Sequence, residues 1–226
     1  MDLFPLYNSL RVAAISTCLV FFVGIAAAHY IARAPRAVKG FLDCVLTLPL
    51  VLPPTVVGFF LLKLIGPLGP VGSRLARWGV RVTMTWHSAV FAAFLVAFPL
   101  MYRTARGAFE SFDETLAHAG RTLGLSDTYI FWRVILPNCR QSLLAGTVLS
   151  FARALGEYGA TTMVAGYIPG RTAMISTTVY QLWREGNDAL AYKWVGINLL
   201  ISFAVLVSVN MLEKRRRYAR RERGEA

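Results

Sequence analysis

SFDETLAHAGRTLGLSDTYIFWRVILP, Ser111 to Pro137, is a polar interruption between segments apolar enough to lie in a bilayer. Ser111-Phe-Asp-Glu114 fits a capping box, in which a Ser hydroxyl and a Glu carboxylate satisfy orphan amide donors, so a helix is expected to begin there. Leu116, Ala119, Gly120 and Leu123 then recur at helical spacing. Gly124 can take positive φ and end that helix, while Ser126 and Asp127 supply a new N-cap for a second helix through Leu136, before Pro137. The stretch therefore predicts two short helices joined by a tight glycine turn. Such a pair suits docking to a soluble partner, or, with Phe131 and Trp132, lying on a lipid surface.

The flanks decide between a soluble and a membrane setting. Val12 to Ile31, Cys44 to Leu62, Val82 to Tyr102 and Trp194 to Leu212 contain no Asp, Glu, Lys or Arg, and each approaches the roughly 20 residues a spanning helix needs. A further window, Ser142 to Tyr167, carries only Arg153 and Glu157. The whole chain is 56% hydrophobic with a mean hydropathy of +0.51, above the apolar share of about 45–50% usual in soluble domains. The expected fold is an all-α integral membrane protein of about five transmembrane helices. Residues 1–226 then form one transmembrane unit, with the loop at 111–137 and a basic tail at 213–226, because no other connection is long enough to bury a core of its own.

A net charge of +12 would suit a nucleic-acid binder, but the basic residues sit at segment ends and make no aromatic-interleaved patch, so no nucleic acid is expected. Placing the Ser111 to Pro137 loop in the cytoplasm gathers Arg33, Arg36, Lys39, Arg103, Arg106, Arg121, Arg133, Arg140 and the tail EKRRRYARRERG on one side, as the positive-inside rule requires. The N-terminus then lies outside and the C-terminus inside. Arg74, Arg77 and Arg81 in the external loop dissent from this pattern. The start MDLFPLYNSLR lacks the basic n-region of a signal peptide, so residues 1 to 31 read as a retained span.

No hydrolytic chemistry is legible. His29, His87 and His118 are isolated, Cys18, Cys44 and Cys139 are widely spaced and odd in number, and neither a metal cluster nor a catalytic constellation is expected. GPLGPVGS, Gly66 to Ser73, lacks the Lys-Ser/Thr of a phosphate-binding loop and follows a span instead of a strand, so it reads as an external turn and the chain has no ATP site of its own. RAPRAVKG, Arg33 to Gly40, reads as a plain cytoplasmic connector.

Two features at membrane depth stand out. CVLTLPLVLPPTVVGFFLL holds Pro49, Pro53 and Pro54, which lack a backbone donor, and Gly58, which loosens a helix, giving either ordinary proline kinks or a broken helix beside a pathway or packed partner. Arg153 and Glu157, four residues apart, share one helix face and can pair. Charges at such depth face a bundle interior or a water-filled cavity, so the pair is either part of a pathway for an oxyanion, which a guanidinium fork suits, or a structural latch.

The loop resembles the cytoplasmic signature of permease subunits of binding-protein-dependent ABC importers, Glu-Ala-Ala, three residues, Gly, nine residues, Ile-x-Leu-Pro. Here His118-Ala119-Gly120, Gly124 and Val134-Ile135-Leu136-Pro137 keep the spacing, with His118 in place of Glu and Gly120 in place of the second Ala. LPLVLPPTVVGFFLL (Leu48 to Leu62), FPLMYRTARGAFE (Phe98 to Glu110) and FARALGEYGATTMVAGYIPGRT (Phe151 to Thr172) are similar to the molybdate permeases of this superfamily, with sulfate and tungstate permeases close to the last segment. The resemblance implies a homodimeric pore in a bacterial or archaeal plasma membrane, importing an oxyanion delivered by an extracytoplasmic binding protein. Two copies of an ABC ATPase subunit would dock on Glu114, His118, Ala119, Gly120, Gly124, Ser126, Asp127, Leu136 and Pro137. Pro53, Pro54, Arg153 and Glu157 are the candidates for the pathway or its latch, and no cofactor is implied. A stand-alone secondary anion carrier would be expected to show internal repeats, which these spans lack, and a membrane anchor or signalling module would need an effector domain.

Overall fold

The computed structural model describes residues 2–222, and among them every regular element is a helix. At the centre, α1 (Phe4–Ala32) packs along α5 (Trp86–Glu110). The buried face of α1 carries Val12, Ser16, Val20, Gly24, Ala28 and Ile31, three or four residues apart, with Ala13 beside them, against Ala89, Ala93, Ala97, Met101, Ala105 and Ala108 of α5. Lipid gives helices no hydrophobic reason to associate, so small residues that let backbones approach do the work of a large apolar core. A Cβ on Gly24 would stand 3.0 Å from Met101 Cγ, and one on Gly146 of α8 (Leu136–Leu155) 2.9 Å from Thr104 Cβ and 3.2 Å from Met101 Sδ. Thus α1 and α8 both close on the same turn of α5.

Among the described residues, three helices are long and apolar enough to cross a membrane: α1, α5 and α11 (Asp188–Glu222) over Asp188–Ser208. The other two expected spans are broken. α2 (Arg36–Val51) and α3 (Pro54–Ile65) meet at 111°. Pro54 opens α3 with no amide to donate, and prolines at 53 and 54 drive the residues before them out of the helical region, so Leu52 and Pro53 are extended, at ψ 140° and 135°. Pro49, by contrast, lies inside α2 without ending it. The window from Ser142 to Tyr167 is likewise two pieces: α8 stops at Leu155 and α9 (Gly159–Ala165) restarts after Gly156, Glu157 and Tyr158.

The second halves of these broken spans pack on one another and on α5, with Val57, Leu61, Ala160 and Val164 closing over Ala92 and Val96. Gly58 makes the contact possible, since a Cβ there would lie 2.7 Å from the Ala160 Cα, a backbone atom that cannot turn aside. Gly58→Val is therefore expected to lower the detergent melting temperature of the purified protein, by the equivalent of about 1–3 kcal/mol of overpacking. An unchanged melt would show that α3 and α9 are not held in contact.

On the far side of the chain, α10 (Ile175–Arg184) and α11 share a cluster of Ile175, Leu182, Ala191 and Trp194. Two buried polar groups of α1 hold the approach to α10: Asn8 Nδ2 donates to Ala173 O at 3.0 Å, and Ser9 Oγ accepts from Ile175 N at 2.8 Å. Leu199, Leu200, Phe203 and Leu206 leave α11 with an exposed apolar flank suited to lipid. The helix runs on through the basic segment to Glu222, and residues 223–226, the end of the expected tail, lie outside the described residues.

The candidate docking loop and the intramembrane ion pair

The expected capping box at Ser111 does not form. α5 runs to Glu110 and Ser111 closes it, its hydroxyl donating to Ala108 O at 3.1 Å. Asp113 instead caps α6 (Glu114–Thr122), its carboxylate accepting from Thr115 N at 2.9 Å. Serine 111 is already spent on the preceding helix, and the aspartate two residues on is the next acceptor that reaches a first-turn amide. Glu114 becomes the first residue of α6.

Gly124 has φ +78° and turns the chain after α6, with Leu125 N donating to Gly120 O at 3.1 Å. Ser126 caps α7 (Asp127–Ile130), its hydroxyl accepting from Tyr129 N at 3.3 Å. The second helix does not stop at Leu136, as the sequence suggested. It passes through a π-helical turn, Phe131–Ile135, straight into α8, with Pro137 in the first turn of α8. A proline in a continuous α-helix clashes with the carbonyl four residues back, here Arg133, and the wider turn immediately before it takes up that mismatch.

Gly120 is the contact between the two short helices. It is buried, and a Cβ on it would stand 3.1 Å from Ile130 Cγ1, with Ile130 itself 1% exposed. Arg121 Nε donates to Asp127 Oδ1 at 2.9 Å and ties the helices from outside. Phe131 turns inward, its ring 4.1 Å from that of His29 on α1, so of the two aromatics considered for a lipid surface only Trp132 points out. Leu136 is half-buried against the α1 and α5 core, and Pro137 is exposed. What remains outward is a mixed surface of Glu114, Leu116, His118, Ala119, Leu123, Tyr129 and Trp132. His118 stands 3.9 Å from Glu114 and 3.4 Å from Arg121 Nη1.

The charges of this loop fix its pH response. Hydrogen bonds from Thr115 hold the Asp113 carboxyl below the usual aspartate value, and the Arg121 guanidinium does the same to Asp127. Both carboxylates therefore add stability above the unfolded aspartate value of about 3.9, and that stability goes as pH falls below it through the lower folded values. Trp132 fluorescence is expected to hold steady from neutral pH to about pH 5 and to change only below pH 4. A transition centred near pH 6 would contradict the assignment of these carboxylates as the caps and ties. Ser126→Ala is expected to cost α7 about 1 kcal/mol, read as faster amide exchange at Tyr129.

The Arg153–Glu157 pair forms. Arg153 Nη1 donates to Glu157 Oε2 at 2.8 Å, with the Glu157 side chain 1% and the Arg153 side chain 30% exposed. The other carboxylate oxygen, Oε1, accepts from Ala160 N at 2.8 Å in the first turn of α9, and the Glu157 carbonyl accepts from Ser176 Oγ of α10 at 2.9 Å. One residue thus joins α8, α9 and α10 at the break. A Cβ on Gly159 would lie 3.1 Å from Pro54 Cβ, so the Pro53–Pro54 break sits against the Glu157 break. Pro53, Pro54, Arg153 and Glu157 belong to one junction, and the residues of the Ser111 to Pro137 loop to another.

A third cluster was not legible as such. Lys39 and Asp43 of α2 meet Tyr102, Arg106 and Glu110 of α5. The four-residue spacing of Arg106 and Glu110 was a signal that could have been used, but nothing local pointed to Lys39, which lies in a segment read as a plain connector.

Over residues 21–218 the chain matches the family described as binding-protein-dependent transport system inner membrane component. It is 39% identical over 201 residues to the molybdenum transport system permease protein ModB of Escherichia coli (strain K12), covering 88% of each chain. It is 34% identical over 203 residues to the sulfate transport system permease protein CysW of Synechocystis, covering 90% of this chain and 74% of that one. Among solved structures it resembles a bacterial alginate ABC transporter in complex with an alginate pentasaccharide-bound periplasmic protein, with TM-score 0.72 and 17% identity over 94% of this chain and 78% of the other, a likeness of fold. With nearly its whole length matched and its helices in the same arrangement, the chain belongs to the inner membrane component family of binding-protein-dependent transport systems.

Proposed function

We propose that two copies of this chain form the membrane pathway of an ATP-driven importer of molybdate. The observation that carries the substrate is the 39% identity to a molybdenum permease across 88% of both chains, against 34% to a sulfate permease that is the longer protein. Sulfate or tungstate remains the second reading for that reason. The Ser111 to Pro137 loop faces the cytoplasm and receives an ABC ATPase subunit, two per transporter, through the exposed surface of Glu114, His118, Ala119, Leu123 and Trp132. Its paired short helices, held by Gly120, Gly124, Ser126 and Asp127, support that role, as does the direct run from α7 into α8 through Leu136 and Pro137. The N-terminus lies outside and the C-terminus inside.

On the opposite face, Lys63 to Arg81 and Tyr167 to Lys193 receive the oxyanion-binding protein. Their Arg74, Arg77, Arg81, Arg171 and Arg184 draw in an acidic rim or the anion. ATP binding and hydrolysis in the partner close the docking loops together, and the pore changes between its two openings as a population shift. Arg153 and Glu157 act as a latch at the junction of the broken helices. The engagement of both Glu157 oxygens, one by Arg153 and one by the α9 amide, supports the latch over an anion-binding role. Arg153→Ala protein that assembles is accordingly expected to keep its relative preference among oxyanions, and a changed preference would restore the pathway role.

Labelled molybdate uptake, with and without this chain, with excess sulfate or tungstate and with ATP depleted, tests the whole reading. ATP-dependent uptake blocked by tungstate and not by sulfate is the expected result. Uptake of sulfate alone would change the substrate, and uptake that follows the proton gradient without an ATPase would replace the importer with a secondary carrier.

A further inference from the structure

The charged cluster between α2 and α5 is used neither by the docking surface nor by the Glu157 junction. Arg106 pairs with Asp43, and its Nε donates to Glu110 Oε1 at 3.0 Å. Lys39 Nζ donates to the same Glu110 oxygen at 2.8 Å, and the Tyr102 hydroxyl donates to Asp43. Lys39 and Asp43 lie four residues apart in the first half of α2, and Tyr102, Arg106 and Glu110 lie four apart along the end of α5, so each set occupies one helix face. The Arg106 and Asp43 side chains are only 23% and 19% exposed. A shared network of partly shielded charges holds its geometry better than an isolated surface pair.

The position of the cluster gives it a mechanical consequence. Glu110 is the last residue of α5, and only Ser111, Phe112 and Asp113 separate it from α6. The other end of α2 is the 111° break before α3. α2 has little else to hold it, since Leu42 and Leu46 pack on the core while Phe41, Val45, Leu48 and Val51 are exposed. We propose that the Arg106 network is the link that carries movement of the docking loop to the broken second span. When α6 is displaced, the end of α5 moves with it, the network draws the start of α2 along, and α2 pivots at Pro53. Arg106 is thus a positioning residue for transport. The inference rests on the reading of the loop as an ATPase dock.

The test uses the full transporter, reconstituted with its ATPase subunit and binding protein, and compares Arg106→Gln, Arg106→Lys and Glu110→Gln with the wild type. Arg106→Gln is expected to retain the ATPase subunit and to hydrolyse ATP at the wild-type rate, while maximal uptake falls about tenfold at unchanged half-saturation, the signature of a lost coupling. Arg106→Lys should recover most of that loss, because an ammonium still reaches one carboxylate. A merely structural role would lower uptake and hydrolysis together. If Arg106→Gln does not accumulate, Glu110→Gln, whose side chain is 45% exposed, decides by the same ratio. Uptake per ATP equal to wild type in the variant that accumulates overturns the link. A wild-type chain that retains no ATPase subunit overturns the docking reading, and the link with it, before any variant is compared.

Discussion

Glu157→Ala is expected to leave little transporter assembled in the membrane. Glu157 is nearly sealed from solvent, at 1% side-chain exposure, and its carboxylate satisfies Arg153 on one side and the Ala160 amide on the other. Removing it leaves a guanidinium in an apolar setting with its partner gone and frees the first turn of α9. Breaking such a pair from one side costs about 3–5 kcal/mol, and the 30% exposure of Arg153 puts this case near 3. That is a large share of the roughly 5–15 kcal/mol that holds a folded protein together. Glu157→Gln should do less harm, because the amide oxygen can still accept from Ala160 N. The double variant Arg153→Met/Glu157→Gln, which removes both charges while keeping that acceptor, should recover most of the folded yield. Folded yield in detergent and molybdate uptake measured together separate the roles. Recovery of both fits a latch, whereas recovery of yield without uptake would mean that the charges serve the pathway.

The second large effect is expected from Gly120→Val, which should abolish uptake, by more than about tenfold, without preventing insertion. Valine places its Cβ 3.1 Å from Ile130 Cγ1 and its two methyl groups beyond that, in space that Ile130 already fills. The helices must then part, and the Arg121–Asp127 tie with them. Overpacking of this kind costs about 1–3 kcal/mol, which the core of α1 and α5 would absorb but the nine-residue α6, held to α7 across the Gly124 turn, would not. Gly120→Ala is the control. A single methyl meets only the flexible end of Ile130, and the importer signature itself has Ala at this place, so uptake should fall by less than about twofold. Normal uptake by Gly120→Val, with the ATPase subunit still bound, would show that the spacing of α6 and α7 does not matter to docking.

Some of this was readable without a structure because its causes act within one or two helical turns. Gly124 turns the chain because it lacks a Cβ, Ser126 caps α7 because its hydroxyl reaches an amide three residues on, and Arg153 finds Glu157 across one turn. Composition placed the chain in a membrane by the same kind of local sum. At Ser111 and at Pro137 two local causes compete. Ser111 and Asp113 could each cap a helix, and the choice fell to Asp113 because α5 extended far enough to use Ser111 first. Pro137 looked like a stop, and a π-helical turn carried the helix through it.

The sequence by itself determined a helical membrane protein, the Gly124 turn and the Ser126 cap of its polar loop, and the charge pair in its fourth apolar stretch. Tertiary structure alone decided that the proline break and the Glu157 break lie against each other, that Gly58 serves as the seat for Ala160, and that Lys39 reaches Glu110 across 71 residues and Tyr102 reaches Asp43 across 59. Backbone preference and capping are set by near neighbours in the chain. Contacts between distant segments depend on which helix faces close together, and that is settled by the packing of all of them at once.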